Sequence, residues 1–156
     1  MKTFYTLLLA FGLCFTSHAQ NIIDFNSASS QLKSQIEGLQ QGDINRLLFQ
    51  SGFSTKHLSN NNQGIKLLKV VGTNSISDDI LNDYSGNYSS VKVISFTNIT
   101  TGSDVLSLLD LTAFSSLDFI LVNTNDDLNQ SFVKGLFKNV KLPSNVTIVI
   151  KKEELM

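Results

Sequence analysis

The sequence predicts an α/β protein in which a helical N-terminal segment leads into a short parallel β-α repeat. Four strand-length apolar runs begin at residues 65, 91, 117 and 146, so successive starts lie 26, 26 and 29 residues apart. Helical apolar patterns fall between these runs, and the first three runs share one order of apolar positions. A helix between two strands requires a crossover connection, and crossovers join parallel strands.

Residues 1–19 are expected to form a signal peptide. Lys2 precedes an apolar run from Phe4 to Phe15, and Ser17 and Ala19 supply small residues before the expected cleavage point. The run is shorter than the ~20 residues of a membrane-spanning helix, and no longer apolar run follows it. A retained anchor is the alternative. Cleavage predicts a secreted or periplasmic protein with no membrane span.

Composition excludes several classes of protein. The 156 residues carry 12 Lys and Arg against 13 Asp and Glu, so the basic surface typical of nucleic-acid binding is missing. Apolar residues make up 42% and charged residues 16%, which argues against a disordered chain. The one cysteine, Cys14, lies in the leader. The exported chain is therefore expected to be free of disulfides and of cysteine-based zinc sites.

Residues 20–64 are predicted to form a helical N-terminal cap followed by a loop. Apolar residues recur at helical spacing in two segments: Leu32, Ile36 and Leu39, then Ile44, Leu47 and Leu48. Ser27 or Ser29 suits the first helix start, and Gly42 separates it from a second helix starting near Asp43. Residues 53–64 are expected to be a loop.

Residues 65–156 are predicted to form the β-α repeats. The shared positions are Ile65, Leu67, Leu68 and Val70; Val91, Val93, Ile94 and Phe96; and Leu117, Phe119, Ile120 and Val122. Helical spacing between the runs predicts three helices, carried by Ile76, Ile80 and Tyr84, by Val105, Leu108, Leu109 and Leu111, and by Leu128, Phe132 and Leu136. A fixed period with a shared register is typical of repeat architectures.

The segment Leu117-x-x-Ile120-x-Val122-x-x-Asn125 resembles the core of a leucine-rich repeat. The resemblance extends over residues 65–151, where the last run, Val146-x-x-Val149, meets Lys151 at the third apolar position. It implies a solenoid that binds a protein or peptide on its strand face. A small parallel α/β sheet with helices on both faces is the alternative fold, because its buried strands also have continuous apolar runs.

The predicted strand face carries the candidate binding residues between the apolar positions. They are Lys66, Lys69, Lys92, Ser95, Asp118 and Leu121. Lysines beside an acid and an exposed leucine suit a polypeptide partner, and a solvated sheet face is the alternative reading.

Aspartates follow the predicted strands, at the edge where ligands of open α/β sheets bind. They are Asp78, Asp79, Asp104, Asp126 and Asp127. Their carboxylates suit either a hard cation such as Ca²⁺ or the capping of the helices that follow. A ligand- or cation-binding protein or enzyme is therefore an alternative function.

The sequence offers no catalytic residues and no cofactor motif. His57 is the only histidine outside the leader, and no Gly-x-Ser-x-Gly elbow or glycine-rich phosphate loop occurs. We therefore expect an exported, non-catalytic binding or interaction module without a cofactor. A structural envelope component that assembles through strand edges is a further alternative.

Overall fold

The computed structural model describes residues 21–50, 53–58, 63–73, 88–106 and 109–153. In these ranges the chain forms one seven-stranded sheet and two α-helices. The strands are β1 (Asn21–Asp24), β2 (Arg46–Gln50), β3 (Phe53–His57), β4 (Leu67–Val71), β5 (Val93–Ile99), β6 (Phe119–Thr124) and β7 (Thr147–Lys152). The helices are α1 (Ser30–Gln41) and α2 (Gln130–Leu136), and short 3₁₀ turns cover Phe25–Ser27 and Tyr88–Ser90.

The sheet is mostly parallel, as the sequence predicts. Its order is β1-β7-β6-β5-β4-β2-β3, and only the pair β2–β3 is antiparallel. The four predicted strands therefore lie side by side in chain order, as β4, β5, β6 and β7. Strand β1 pairs with the far side of β7.

The shared apolar pattern corresponds to the register of the sheet. Cross-strand partners form the rows Leu67–Val93–Phe119 and Leu68–Ile94–Ile120. Strand β7 differs, because Ile148 lies opposite Ile120 and Val149 lies opposite Leu121. The sequence alignment of Val149 with Ile120 is thus wrong by one residue. Ile150, rather than Lys151, takes the third apolar position.

The sheet buries apolar side chains on both faces. The larger core contains Val70, Phe96, Val122 and Ile150, packed with Val133, Leu136 and Phe137 from α2 and the turn after it. On the opposite face, Ile36 from α1 packs with Leu67, Val93, Phe119, Leu121 and Val149. Helix α1 therefore covers part of one strand face, and α2 covers part of the other.

The N-terminal segment contains strands as well as a helix. Helix α1 is confirmed, and its cap is Ser29, whose Oγ accepts a hydrogen bond from the Leu32 amide at 3.3 Å. The second predicted helix is wrong, since residues 46–50 form β2 parallel to β4. The expected loop is also wrong in part, because residues 53–57 form β3. Leu47 and Phe49 alternate into the core, and this period of two suits a strand.

The three predicted helices between the runs have different outcomes. The third is confirmed as α2, where the Asn129 side chain caps the helix by accepting from the Phe132 amide at 2.8 Å. The first, over residues 76–84, lies outside the described residues. The second is wrong for its described residues 105, 106 and 109–111, which are not helical. There the Leu111 amide donates to the Lys141 carbonyl at 2.9 Å, so the backbone bonds a neighbouring segment instead.

Candidate functional site

A pocket of about 170 Å³ lies on the α1 side of the sheet, near the carboxyl ends of the central strands. Side chains two residues apart on a strand share a face, so β4, β5 and β6 each send polar groups to this side after their apolar residues. The lining residues are Gln40, Arg46, Leu67, Lys69, Ser95, Thr97, Asn123 and Glu153. Helix α1 ends beside the pocket, because Gln40 belongs to its last turn.

The floor of the pocket is formed by three buried polar side chains. Ser95, Thr97 and Asn123 are 3%, 7% and 2% exposed. The Asn123 Nδ2 donates to Ser95 Oγ at 2.8 Å, and the Thr97 hydroxyl donates to the Val70 carbonyl at 3.4 Å. The Asn123 Oδ1 has no hydrogen-bond partner among the described residues. Buried polar atoms are usually hydrogen-bonded, so this oxygen is an exception in the core.

Arg46 lies between the helix end and the pocket. Its guanidinium donates to the carbonyls of Gln40 at 3.2 Å, Ile44 at 3.4 Å and Gly42. Carbonyls at a helix C-terminus carry partial negative charge, and a cation there is stabilising. Three of the five N–H groups of the side chain are therefore accounted for.

The pocket also holds an ammonium group and a carboxylate that are not paired with each other. Lys69 is exposed on β4, and Glu153 follows β7, where its amide donates to the Thr124 carbonyl at 2.8 Å. Within the described ranges, ion pairs join Lys92 to Asp118, Lys141 to Asp110 and Lys152 to Asp127. None of these pairs involves a pocket residue.

The backbone beside the pocket is irregular. The β5–β6 register shifts between Phe96 and Ile99, so that Thr97 and Asn98 together lie opposite Asn123. Asn98 has φ 59°, which is uncommon for a residue with a side chain. Gly72, with φ 75°, donates its amide to the Thr97 carbonyl at 2.8 Å. Bulges are frequent next to ligand sites because they re-aim side chains.

Gln40 is oriented by a residue of the neighbouring strand. The Lys151 ammonium donates to Gln40 Oε1 at 2.7 Å and lies 4.9 Å from the centroid of the Phe25 ring. The amide oxygen of Gln40 is thus occupied, and its amide nitrogen is the group left to meet a ligand.

The structure divides the predicted strand-face residues into separate groups. Lys69 and Ser95 line the pocket. Leu121 was expected on the surface, but it is fully buried because α1 packs over it. Lys66, Lys92 and Asp118 precede the strands at the opposite end of the sheet, where Lys92 and Asp118 form an exposed ion pair of 3.5 Å.

The aspartates considered for a cation do not form a cluster in the described residues. Asp78 and Asp79 lie outside those residues, and Asp104 is exposed. Asp126 accepts from the Thr101 amide at 2.8 Å, and Asp127 pairs with Lys152. The hydrogen bond and charge of Lys152 lower the pKa of the Asp127 carboxyl. No group of three His, Cys, Asp or Glu side chains suited to a metal occurs in the ranges described.

Several pocket residues are not among the site residues that the sequence identifies. Arg46 lies in a segment predicted to be helical, and neither Glu153 nor Asn123 is a sequence candidate. The one signal for Asn123 is its place directly after four apolar residues, Phe119 to Val122, inside a strand that is buried throughout.

No protein-family model, curated protein or solved structure matches this chain. The helices found in the described residues are too short or too polar to cross a membrane.

Proposed function

We propose that this chain is an exported, non-catalytic binding protein that holds a small polar molecule in the pocket at the end of α1. The observation that carries this proposal is the pocket lining, where Arg46, Lys69 and Glu153 bring charges of both signs beside the buried side chains of Ser95, Thr97 and Asn123. A concave pocket that brings a few polar groups together is typical of a small-molecule site.

The pocket lies on the strand face, which therefore remains the acting surface of the proposed function. Its volume of about 170 Å³ is smaller than the ~300–1,000 Å³ typical of drug-sized ligands. A small molecule fits this space better than a folded protein does.

Export is proposed on the leader sequence of residues 1–19, which precede the described residues. The expected result is a mature chain beginning at Gln20 in the secreted or periplasmic fraction. N-terminal sequencing of the fractionated protein checks this. A full-length chain retained with the membranes would contradict cleavage.

We also infer that the strands β4 to β7 belong to a short repeat of the leucine-rich type. Equivalent backbone bonds support it, because the Lys92 amide donates to the Lys66 carbonyl and the Asp118 amide donates to the Lys92 carbonyl, both at 2.9 Å. These bonds recur at the same 26-residue spacing as the apolar pattern. Helices α1 and α2 pack on opposite faces of the sheet, which is the arrangement expected of the alternative fold, a small parallel α/β sheet.

Amide-resolved NMR tests the binding function. The protein is titrated with a panel of small polar compounds: amino acids, carboxylates, amines, monosaccharides and inorganic phosphate. At least one is expected to shift amides of residues 67–71, 95–97 and 123–124. Lys69→Met should weaken the binding of a charged compound, whereas Lys134→Met, an exposed lysine on α2, should not. A panel that leaves these amides unmoved refutes the proposal.

Assembly through the sheet edge is a second candidate function. Strand β3 is the last strand of the sheet order. Residues 54–57 of this strand and Leu58 after it are exposed, and Leu58 is 62% exposed. An exposed edge strand is a template for pairing with another chain. Analytical ultracentrifugation of wild type and Leu58→Lys is the test. Concentration-dependent oligomers that the substitution weakens would support it, and a monomer at all concentrations would exclude it.

A further inference from the structure

We infer that the ligand of this pocket is a small zwitterion, a free α-amino acid carrying one ammonium group and one carboxylate. The inference rests on the proposed function and specifies its ligand. It is argued from the charges that line the pocket, the hydrogen-bonding capacity left at each group and the size of the space.

One part of the lining supplies donors and positive charge. Lys69 brings an ammonium with three N–H donors and forms no ion pair with a described residue. Arg46 has two N–H groups beyond the three that bind carbonyls at the end of α1. A carboxylate accepts from both kinds of donor, and such charge-assisted bonds are stronger than neutral ones.

Another part of the lining supplies acceptors and negative charge. The Glu153 carboxylate lines the pocket and is acceptor-only when ionised. An ammonium group, which is donor-only, complements this carboxylate, and its charge would balance that of Glu153.

Simpler ligands leave part of this lining uncompensated. A plain anion would satisfy Lys69 and Arg46 but would be repelled by Glu153. A plain amine would satisfy Glu153 and meet two cations. A neutral sugar would bring no counter-charge for any of the three groups. A molecule that carries an ammonium group and a carboxylate on the same carbon atom is the class that matches the whole lining.

The size of the pocket agrees with a small amino acid. The space of about 170 Å³ is small beside the ~300–1,000 Å³ of pockets for drug-sized ligands, so glycine, alanine or serine suits it better than a larger molecule does. The backbone bulge at Thr97 and Asn98 and the end of α1 border the space, so a large aromatic side chain would have to displace one of them.

Isothermal titration calorimetry with three matched probes tests the inference: L-alanine, propionate, which lacks the ammonium, and ethylamine, which lacks the carboxylate. L-Alanine is expected to bind about tenfold or more tightly than either fragment, since each charge-assisted contact is worth that much. L-Phenylalanine should bind more weakly than L-alanine. Equal affinities for L-alanine and propionate, or for L-alanine and ethylamine, would overturn the inference.

Two variants test which pocket side chain binds which charged group of the ligand. Glu153→Gln should reduce the preference for L-alanine over propionate, and Lys69→Met should reduce the preference for L-alanine over ethylamine. Both side chains are exposed, so the fold should persist, which circular dichroism melting checks. Lys134→Met is the matched control and should leave both preferences unchanged. An unchanged preference in both pocket variants contradicts the assignment.

The panel also separates this inference from the binding function itself. If phosphate or a monosaccharide shifts the NMR signals of the pocket amides while every amino acid leaves them unchanged, the inference of a zwitterionic ligand is wrong. The pocket would still be a binding site. If no compound shifts them, both proposals fail.

Discussion

Replacing Ser95 by alanine and Asn123 by leucine together should stabilise the protein while abolishing binding. The Asn123 Oδ1 is unpartnered in a residue that is 2% exposed, which costs about 1–3 kcal/mol. The bond from Nδ2 to Ser95 Oγ, 2.8 Å long, returns only about 0.5–1.5 kcal/mol. Leucine has a similar shape to asparagine. Removing the Asn123 amide and the Ser95 hydroxyl together leaves neither group buried without its hydrogen-bond partner. We expect a net gain of about 1 kcal/mol in the free energy of unfolding.

Urea denaturation measures this effect, with unchanged slope and a higher midpoint in the double variant. Ser95→Ala alone should lower stability by about 1–2 kcal/mol, because it leaves the Asn123 amide group without its acceptor. Ser131→Ala, at an exposed position of α2, serves as the control and should change stability little. A double variant less stable than wild type by more than about 1 kcal/mol would refute the reasoning, since it would show that the Asn123 oxygen is satisfied in the folded protein.

Three further predictions concern stability. Gly72→Ala should destabilise the protein by about 1–2 kcal/mol, because φ is 75° at this position. Gly38→Ala, inside α1, should stabilise the protein by up to about 1 kcal/mol, since no atom crowds the added Cβ. Urea midpoints that move in the same direction for the two variants would contradict this reasoning. Asn129→Ala should cost about 1 kcal/mol by removing the cap of α2, again measured by urea denaturation; a loss below about 0.3 kcal/mol would count against the cap. Lys152 lowers the pKa of the Asp127 carboxyl, so this pair stabilises the fold above the ordinary carboxyl pKa and the effect is lost as pH falls through the lowered value. The difference in Tm between wild type and Asp127→Asn should therefore shrink below about pH 4, and a difference independent of pH would contradict the assignment.

The sheet register was predictable because buried parallel strands repeat their apolar positions at fixed spacing. The pairs Leu67–Val93 and Val93–Phe119 are each 26 residues apart, and both are cross-strand neighbours. The last connection is longer, and the sequence pattern alone did not determine where β7 begins its pairing. Val146 and Val149 suited the motif as well as Ile148 and Ile150 did. Only contact with β6 distinguishes the two registers.

Strand β2 shows where local sequence is ambiguous. Ile44, Leu47 and Leu48 recur at helical spacing, while Leu47 and Phe49 agree with a strand. The parallel pairing with β4 and the burial of Leu47 and Phe49 select the strand. Tertiary contacts of this kind override the local preference for helix or strand, and a short stretch of sequence carries no information about them.

The pocket was less predictable than the sheet, because its groups come from distant parts of the chain. Arg46 and Lys69 approach each other only since β2 pairs with β4, and Glu153 arrives with the end of β7. Lys69 and Ser95 were identified from their strand positions. The unpartnered oxygen of Asn123 depends on side-chain packing, for which single-sequence patterns carry no signal.

The pairing of β1 with β7 has a consequence for the order in which the sheet forms during synthesis. Asn21 and Thr147 are bonded although 126 residues separate them, and β1 has no other neighbour in the sheet order. Contacts so distant along the chain form slowly, because the loop they close is long. During synthesis β1 therefore has no partner strand until β7 has been made. The seven-stranded sheet cannot be complete before that point.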